Sequence, residues 1–250
     1  MLPISSLQNP TIKLIRSLDQ KKERREAGLF VAEGFAMLER AEACGWVPET
    51  VLATKHVDVF DEVKPTLVTD KIMAELSGQN NPHDVLAVFK QRYQPRPSKE
   101  GLWLALEEVR DPGNMGTIIR TADAVDVKGI ILVGDCCDPY SPEAVRASTG
   151  SIFGVTVVRM NLPAMLDFVK AWPGDVVGTS GTARSDFRKE YLHPVLLAMG
   201  SESRGLSSEL SRSCTQLVRI PMKDGVESLN VATAAALMLY QVAQFYLLKH

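Results

Sequence analysis

Leu102-Trp103-Leu104-Ala105-Leu106 runs through Glu107-Glu108-Val109-Arg110 into Asp111-Pro112-Gly113-Asn114, and then into Met115-Gly116-Thr117-Ile118-Ile119-Arg120. An unbroken apolar run reads as a strand buried on both faces, the four residues after it as a turn, and the segment from Met115 to Val125 as a helix. The same unit recurs down the chain. Strand-like runs follow at Gly129–Val133, Gly154–Val158, Asp175–Thr179, Pro194–Met199 and Gln216–Ile220, with helix-like segments at Ser141–Thr149, Leu162–Ala171 and Ser207–Ser213. A long helix from Val231 to about Leu248 ends the series. Repeated strand–helix alternation predicts an α/β fold, a parallel sheet with helices on both faces, and such sheets bind ligands outside the carboxyl ends of their strands.

Working outward, the stretch from Gln91 to Gly101 is polar, carries Pro95 and Pro97 and shows no apolar periodicity, so it reads as a linker. The predicted domains are 1–95 and 96–250. On the N-terminal side a small α/β unit is expected, with a helix after Asn9-Pro10, strands at Phe30-Val31-Ala32 and Val51-Leu52-Ala53, a helix near Phe35–Cys44 and a strand at Val85–Phe89. The chain of 250 residues has a net charge of −2, so bulk charge does not announce a nucleic-acid partner and any such evidence must be local. Its apolar runs are too short to span a bilayer, and no secretory signal pattern is present, which predicts a cytoplasmic protein without a membrane partner. Cys44, Cys136, Cys137 and Cys214 lack zinc-site spacing and disulfide-scaffold density; they read as small side chains in a reducing compartment, with no metal expected.

The familiar α/β signatures are missing. No G-x-G-x-x-G follows the first strand of this part, no Walker A loop occurs, and no Ser sits in G-x-S-x-G. Dehydrogenase, kinase and hydrolase readings weaken accordingly. Three blocks remain, each where a strand gives way to a turn or helix. In the first, Asp111-Pro112-Gly113-Asn114 is a turn with Asn114 as a good helix cap. That reading does not account for Arg120, which stands among Ile118, Ile119, Ala122 and Ala124 and suits an anionic oxygen. The second block, Gly200-Ser201-Glu202-Ser203-Arg204-Gly205-Leu206, brings glycines to a strand end, where backbone can approach a ligand. Glu202 beside Arg204 reads equally as a solvated surface pair. The third, Ser228-Leu229-Asn230, offers two caps to an Ala-rich helix whose free N–H groups can receive an anionic group.

Together and in this order, the blocks resemble the three motifs of the SpoU (TrmH) family of RNA ribose methyltransferases, within the knotted SPOUT superfamily. The motif-bearing region covers about Leu102 to Leu248, with Ser201 and Ser203 standing where members commonly show Asn and Gly. The first domain is also similar to the family's ribosomal-protein-like substrate-binding domain, through Asn9-Pro10 with Lys13, the Lys21-Lys22-Glu23-Arg24-Arg25 cluster, and Phe30 with Glu33-Gly34.

The resemblance implies a SPOUT-type parallel sheet whose C-terminal segment forms a deep trefoil knot, a rare exception to ordinary connection rules. It implies S-adenosylmethionine as cofactor, held by Thr179, Ser180, Gly200, Ile220, Met222 and Leu229. The reaction it implies is methyl transfer to a ribose 2′-hydroxyl of RNA. Arg120 would hold phosphate and stabilise the developing alkoxide, while Asn114, Glu202, Ser228 and Asn230 position the ribose, Arg120 and the loops. Lys13, Lys21, Lys22, Arg24 and Arg25 would contact RNA phosphates, although a solvated amphipathic helix explains that cluster as well. Ribosomal RNA is the preferred substrate and transfer RNA the alternative; a homodimer through the knotted domain is expected. The rival readings are a non-catalytic RNA-binding protein that retains the fold and a nucleotide-binding α/β enzyme of another type.

Overall fold

The computed structural model describes residues 3–58, 60, 63–201, 203–226 and 228–247. They form two compact units, Met1–Gln91 with Asp138–Gly154, and Arg92–Cys137 with Val155–His250.

In the first unit, α1 (Pro10–Ser17) starts where the Asn9 side chain accepts the Thr11 N–H, with Pro10 at the first helical position. Helix α2 (Lys21–Ala27) follows and ends on Gly28 in the left-handed conformation. Then come β1 (Leu29–Glu33), α3 (Phe35–Ala43), β2 (Thr50–Ala53), β3 (Thr66–Leu67), α4 (Asp70–Ser77) and β4 (Val85–Lys90). The sheet order is β1-β4-β2-β3, with β4 antiparallel to β1 and β2, and β2 parallel to β3. One face packs Leu52, Leu86 and Val88 against Ile12 and Ile15 of α1, Leu18 at its C-terminal cap, and Ile72 and Met73 of α4. An aromatic cluster of Phe30, Trp46, Phe89, Tyr140 and Phe153 makes a second core, with Phe30 and Tyr140 rings 4.6 Å apart.

The second unit begins at Arg92; its first strand is β5 (Leu102–Glu107), followed by α5 (Pro112–Ala124) and β6 (Gly129–Val133), after which the chain supplies α6 (Pro142–Ser148) and a short 3-10 turn (Ser151–Phe153) to the first unit. The sequence had placed this segment with the second half. It belongs with the first because Tyr140 and Phe153 complete the aromatic cluster and Asp138 pairs with Arg24. The rest of the second unit comprises β7 (Val157–Met160), α7 (Leu162–Lys170), β8 (Val176–Thr179), β9 (Ser185–Asp186), β10 (Val195–Met199), α8 (Ser208–Ser213), β11 (Gln216–Arg219) and α9 (Val231–Leu247). Leu248, expected at the end of the last helix, lies outside the described residues.

The seven strands are ordered β7-β6-β5-β10-β8-β11-β9, every pairing parallel. One face of the sheet, including Trp103, Ala105, Val158, Leu196 and Ala198, packs on Met165 and Val169 of α7 and Leu210 of α8. Helices α5 and α9 pack against each other, and contacts from α5 to β6 and from α9 to β10 cover the opposite face. Two strands depart from expectation. β7 begins at Val157 rather than Gly154, and the two-residue edge strand β9 was not anticipated.

Candidate cofactor and RNA site

The carboxyl ends of β8, β10 and β11 open on a cavity of about 440 Å³. Thr179 and Ser180 reach it from β8, Met199 and Gly200 from β10, and Val218 and Ile220 from β11. Met222, Ser228 and Leu229 bring the third sequence block to the same wall. All six residues expected to bind the cofactor therefore line one cavity, together with Ser228. Ser180 is fixed by its backbone N–H on the Val218 carbonyl, 3.0 Å away, and by its hydroxyl, 3.1 Å from that of Thr182.

The second block crosses itself tightly. Gly205 donates to the Ser201 carbonyl at 2.9 Å, and a Cβ placed on Gly200 would lie 1.9 Å from the Gly205 carbonyl carbon. Position 200 has no room for a side chain, whatever its dihedral angles. Gly205 itself has φ +65°, the left-handed region that favours glycine. Glu202 lies outside the described residues. Arg204 lines the cavity and bonds to Glu108.

Asn114 differs from its sequence reading. The cap of α5 is Asp111, whose Oδ1 accepts the Asn114 N–H at 2.7 Å, and the helix starts at Pro112. Asn114 therefore sits in the first turn with its side chain available for another role. That role is contact with the third block: the Asn230 amide donates to Asn114 Oδ1 at 2.9 Å. Asn230 also caps α9, its Oδ1 accepting from Ala232 N at 2.8 Å and Thr233 N at 3.3 Å. First and third blocks are thus joined at the starts of two packed helices. Arg120 lies six residues beyond Asn114 on α5, about 9 Å along the axis, and is exposed. It is not part of the cavity wall.

In the first unit, Lys13, Lys21, Lys22 and Arg25 are exposed. Arg24 is not. It is 3% exposed; its Nε donates to Asp138 at 2.8 Å, and its Nη1 donates to the carbonyls of Leu18 and Asp19 at 2.8 and 2.7 Å. A guanidinium so engaged cannot meet an RNA phosphate, so Arg24 is removed from the expected RNA-binding set. The four cysteines are free thiols. Burial, with the Glu107 carboxylate adding to it, pushes Cys214 up to about 12, and burial raises Cys136 as well. Among the described residues no cluster of His, Cys, Asp and Glu could hold a metal, and no helix is long and apolar enough to cross a membrane.

Sequence reasoning missed Glu107. It is 6% exposed at the end of β5, and its carboxylate accepts the Ser207 N–H at 2.7 Å beside the cavity. A charged residue closing an otherwise apolar strand was the signal available.

Residues 101–240 match the model of the SpoU rRNA Methylase family, and residues 9–87 match an MRM3-like substrate binding domain. A protein of Synechocystis sp., described as an uncharacterized tRNA/rRNA methyltransferase, is 34% identical over 95% of this chain and 92% of its own. The 23S rRNA (uridine(2479)-2′-O)-methyltransferase of Streptomyces viridochromogenes is 33% identical over 91% of this chain and 86% of its own. Among solved structures, an AdoMet-bound rRNA methyltransferase from Sinorhizobium meliloti superposes with a TM-score of 0.88 at 38% identity, covering 98% of both chains. With its three blocks gathered at one sheet edge and a family match across more than half its length, the chain belongs to the SpoU rRNA methylase family.

Proposed function

We propose that the protein is an S-adenosylmethionine-dependent RNA 2′-O-ribose methyltransferase whose substrate is ribosomal RNA. The observation that carries this reading is the convergence of the blocks: the second and third share a cavity, and the Asn230–Asn114 bond ties the third to the first. The named activities of the Streptomyces and Sinorhizobium relatives support it.

The residues present fit the cofactor. A cavity of about 440 Å³ is in the range of small-molecule sites. Leu206, Ile220, Met222 and Leu229 offer apolar contact to an adenine, while Thr179, Ser180 and the Gly200 backbone offer polar partners. When bound, the cofactor supplies an electrophilic methyl group on a sulfonium. The protein's task is then to bring a ribose hydroxyl into line and stabilise the oxygen as it loses its proton. Arg120 holds the adjacent phosphate and the developing alkoxide, because a guanidinium is a permanent cation with a fork of donors. Asn114, Ser228 and Asn230 orient the ribose and the helix starts; Glu202 has the same positioning role in this reading.

In this reading residues 1–95, together with 138–154 of the same compact unit, make the substrate-binding domain and the rest of 96–250 the methyltransferase domain, with exposed Lys13, Lys21, Lys22 and Arg25 contacting RNA phosphates. A deep trefoil knot in the C-terminal segment accords with β10 lying between β5 and β8 and with the tight Gly200–Gly205 crossing. A second copy of the chain covers α9, where Leu237 and Tyr240 stand exposed beside Phe187. The protein works in the cytoplasm, in keeping with its free thiols.

The test is transfer of labelled methyl groups from S-adenosylmethionine to ribosomal particles, naked ribosomal RNA and transfer RNA, beside Arg120→Ala. Labelling of ribosomal RNA, lost in the variant, supports the reading. Labelling confined to transfer RNA would move the substrate assignment, and cofactor binding with no labelling of any RNA would favour a non-catalytic RNA-binding role.

A further inference from the structure

Glu107 and Glu108 are consecutive, yet both carboxylates reach the same short stretch of chain. In a strand, successive side chains face opposite ways. Glu107 follows Trp103 and Ala105 onto the α7/α8 face, where its Oε2 accepts the Ser207 N–H at 2.7 Å. Alternation would send Glu108 to the other face. Its φ of +53°, rare for a residue with a side chain, breaks the alternation, and its Oε2 accepts from Arg204. The two carboxylates therefore bracket Gly205-Leu206, one bonded just before the pair and one just after it. Both bracketed residues line the cavity, and Gly205 is the backbone that presses on Gly200.

The two anchors are unequal. The Arg204 side chain is 67% exposed, so its pair with Glu108 is screened and weak. Glu107 is 6% exposed, and a carboxylate so placed is tolerated only where it is hydrogen-bonded. Ser207 also caps α8, its hydroxyl accepting from Leu210 N at 3.2 Å, so the segment Glu107 grips is rigid on its far side.

We propose that Glu107 is a positioning residue of the cofactor cavity: through the Ser207 N–H it holds Leu206 and Gly205 against the strand-end Gly200, and Glu108 steadies the other end through Arg204. Glu107 does not stand in the cavity wall and touches neither cofactor nor reacting atoms. The inference rests on the reading of this cavity as the S-adenosylmethionine site.

The experiment is calorimetric titration of S-adenosylmethionine into the full chain, with steady-state kinetics on RNA, for wild type, Glu107→Ala, Glu107→Gln and Glu107→Asp. Loss of a hydrogen bond to a charged group predicts a Kd for the cofactor raised roughly tenfold or more in Glu107→Ala. The KM for RNA, and kcat at saturating cofactor, stay within about twofold of wild type on the same scale. Glu107→Gln keeps an acceptor aimed at Ser207 and recovers most of the affinity. Glu107→Asp, one methylene short, loses several-fold; it is the deciding variant if Glu107→Ala does not fold. Wild-type Kd in a folded Glu107→Ala or Glu107→Asp protein would overturn the proposal, as would a loss confined to the fraction of active protein. Failure of the wild type itself to bind would instead overturn the cofactor reading of the cavity.

Discussion

Replacing Arg24 by Ala separates a structural cation from its RNA-facing neighbours. Arg24 donates three hydrogen bonds, to the Asp138 carboxylate and to the Leu18 and Asp19 carbonyls, and is 3% exposed. In the variant Asp138 keeps only the Tyr140 N–H, at 3.0 Å, among its described partners. Removing one member of a buried ion pair leaves an uncompensated charge and costs about 3–5 kcal/mol. Changes at exposed Lys21, Lys22 or Arg25 should stay within about 0.5 kcal/mol. The chain has two units, so a single melting curve would mix them. Hydrogen exchange read by mass spectrometry resolves the first unit alone, through the amides of β1 and β4. If these amides exchange by opening of the whole unit, exchange in Arg24→Ala should be faster by roughly a hundredfold to a few thousandfold. Lys21→Ala should leave exchange unchanged but reduce the salt dependence of RNA binding by about one phosphate contact. An Arg24→Ala protein with wild-type protection, and an RNA-binding loss like that of Lys21→Ala, would refute the buried-pair account.

Three further outcomes follow from the site. Gly200→Ala forces a Cβ into the Gly205 backbone and should weaken cofactor binding at least about tenfold; a wild-type titration would show that the crossing does not shape the cavity. Asn230→Ala removes the α9 cap at a cost of about 1 kcal/mol, whereas Asn230→Asp keeps the cap and loses only the donor to Asn114. Both should lose methyl transfer while only the first loses stability, and an active Asn230→Asp enzyme would break the proposed link between the blocks. Cys214, pushed up to about 12 by burial and then by Glu107, should resist iodoacetamide at pH 8 until the protein unfolds. Mass spectrometry of the modified peptide checks this, and labelling at the rate of a free thiol would contradict it.

The parallel sheet was legible because its strands are buried on both faces, and continuous apolar runs such as Leu102–Leu106 and Gly129–Val133 have no other economical reading. The full lining of the cavity was legible only through the family resemblance: Gly200 stands out as a glycine at a strand end, but Thr179, Met222 and Leu229 carry no chemistry that spacing alone would flag. The cap of α5 was misread because Asp111 and Asn114 are both good caps. Pro112 resolves it, being suited to the first helical position and so placing the cap at Asp111. Arg24 was hidden within a run of charges that is otherwise solvated, and its partner lies 114 residues away. The transfer of 138–154 to the first unit was equally invisible to strand–helix alternation, although aromatic Tyr140 and Phe153 stand out from the mostly small and polar residues around them. Helix α4 could have been read from Thr69 as cap with Ile72, Met73 and Leu76 on one side. The bond from Glu107 to Ser207 spans 100 residues and needed coordinates.

The most direct test of the central claim is digestion of RNA methylated by the protein to nucleosides, followed by chromatography and mass spectrometry to place the added methyl group. The account predicts a 2′-O-methyl nucleoside from ribosomal RNA, absent when Arg120→Ala replaces the wild type. A methyl group on a base, or an unmethylated product from a protein that binds the cofactor and its ribosomal substrate, would contradict it.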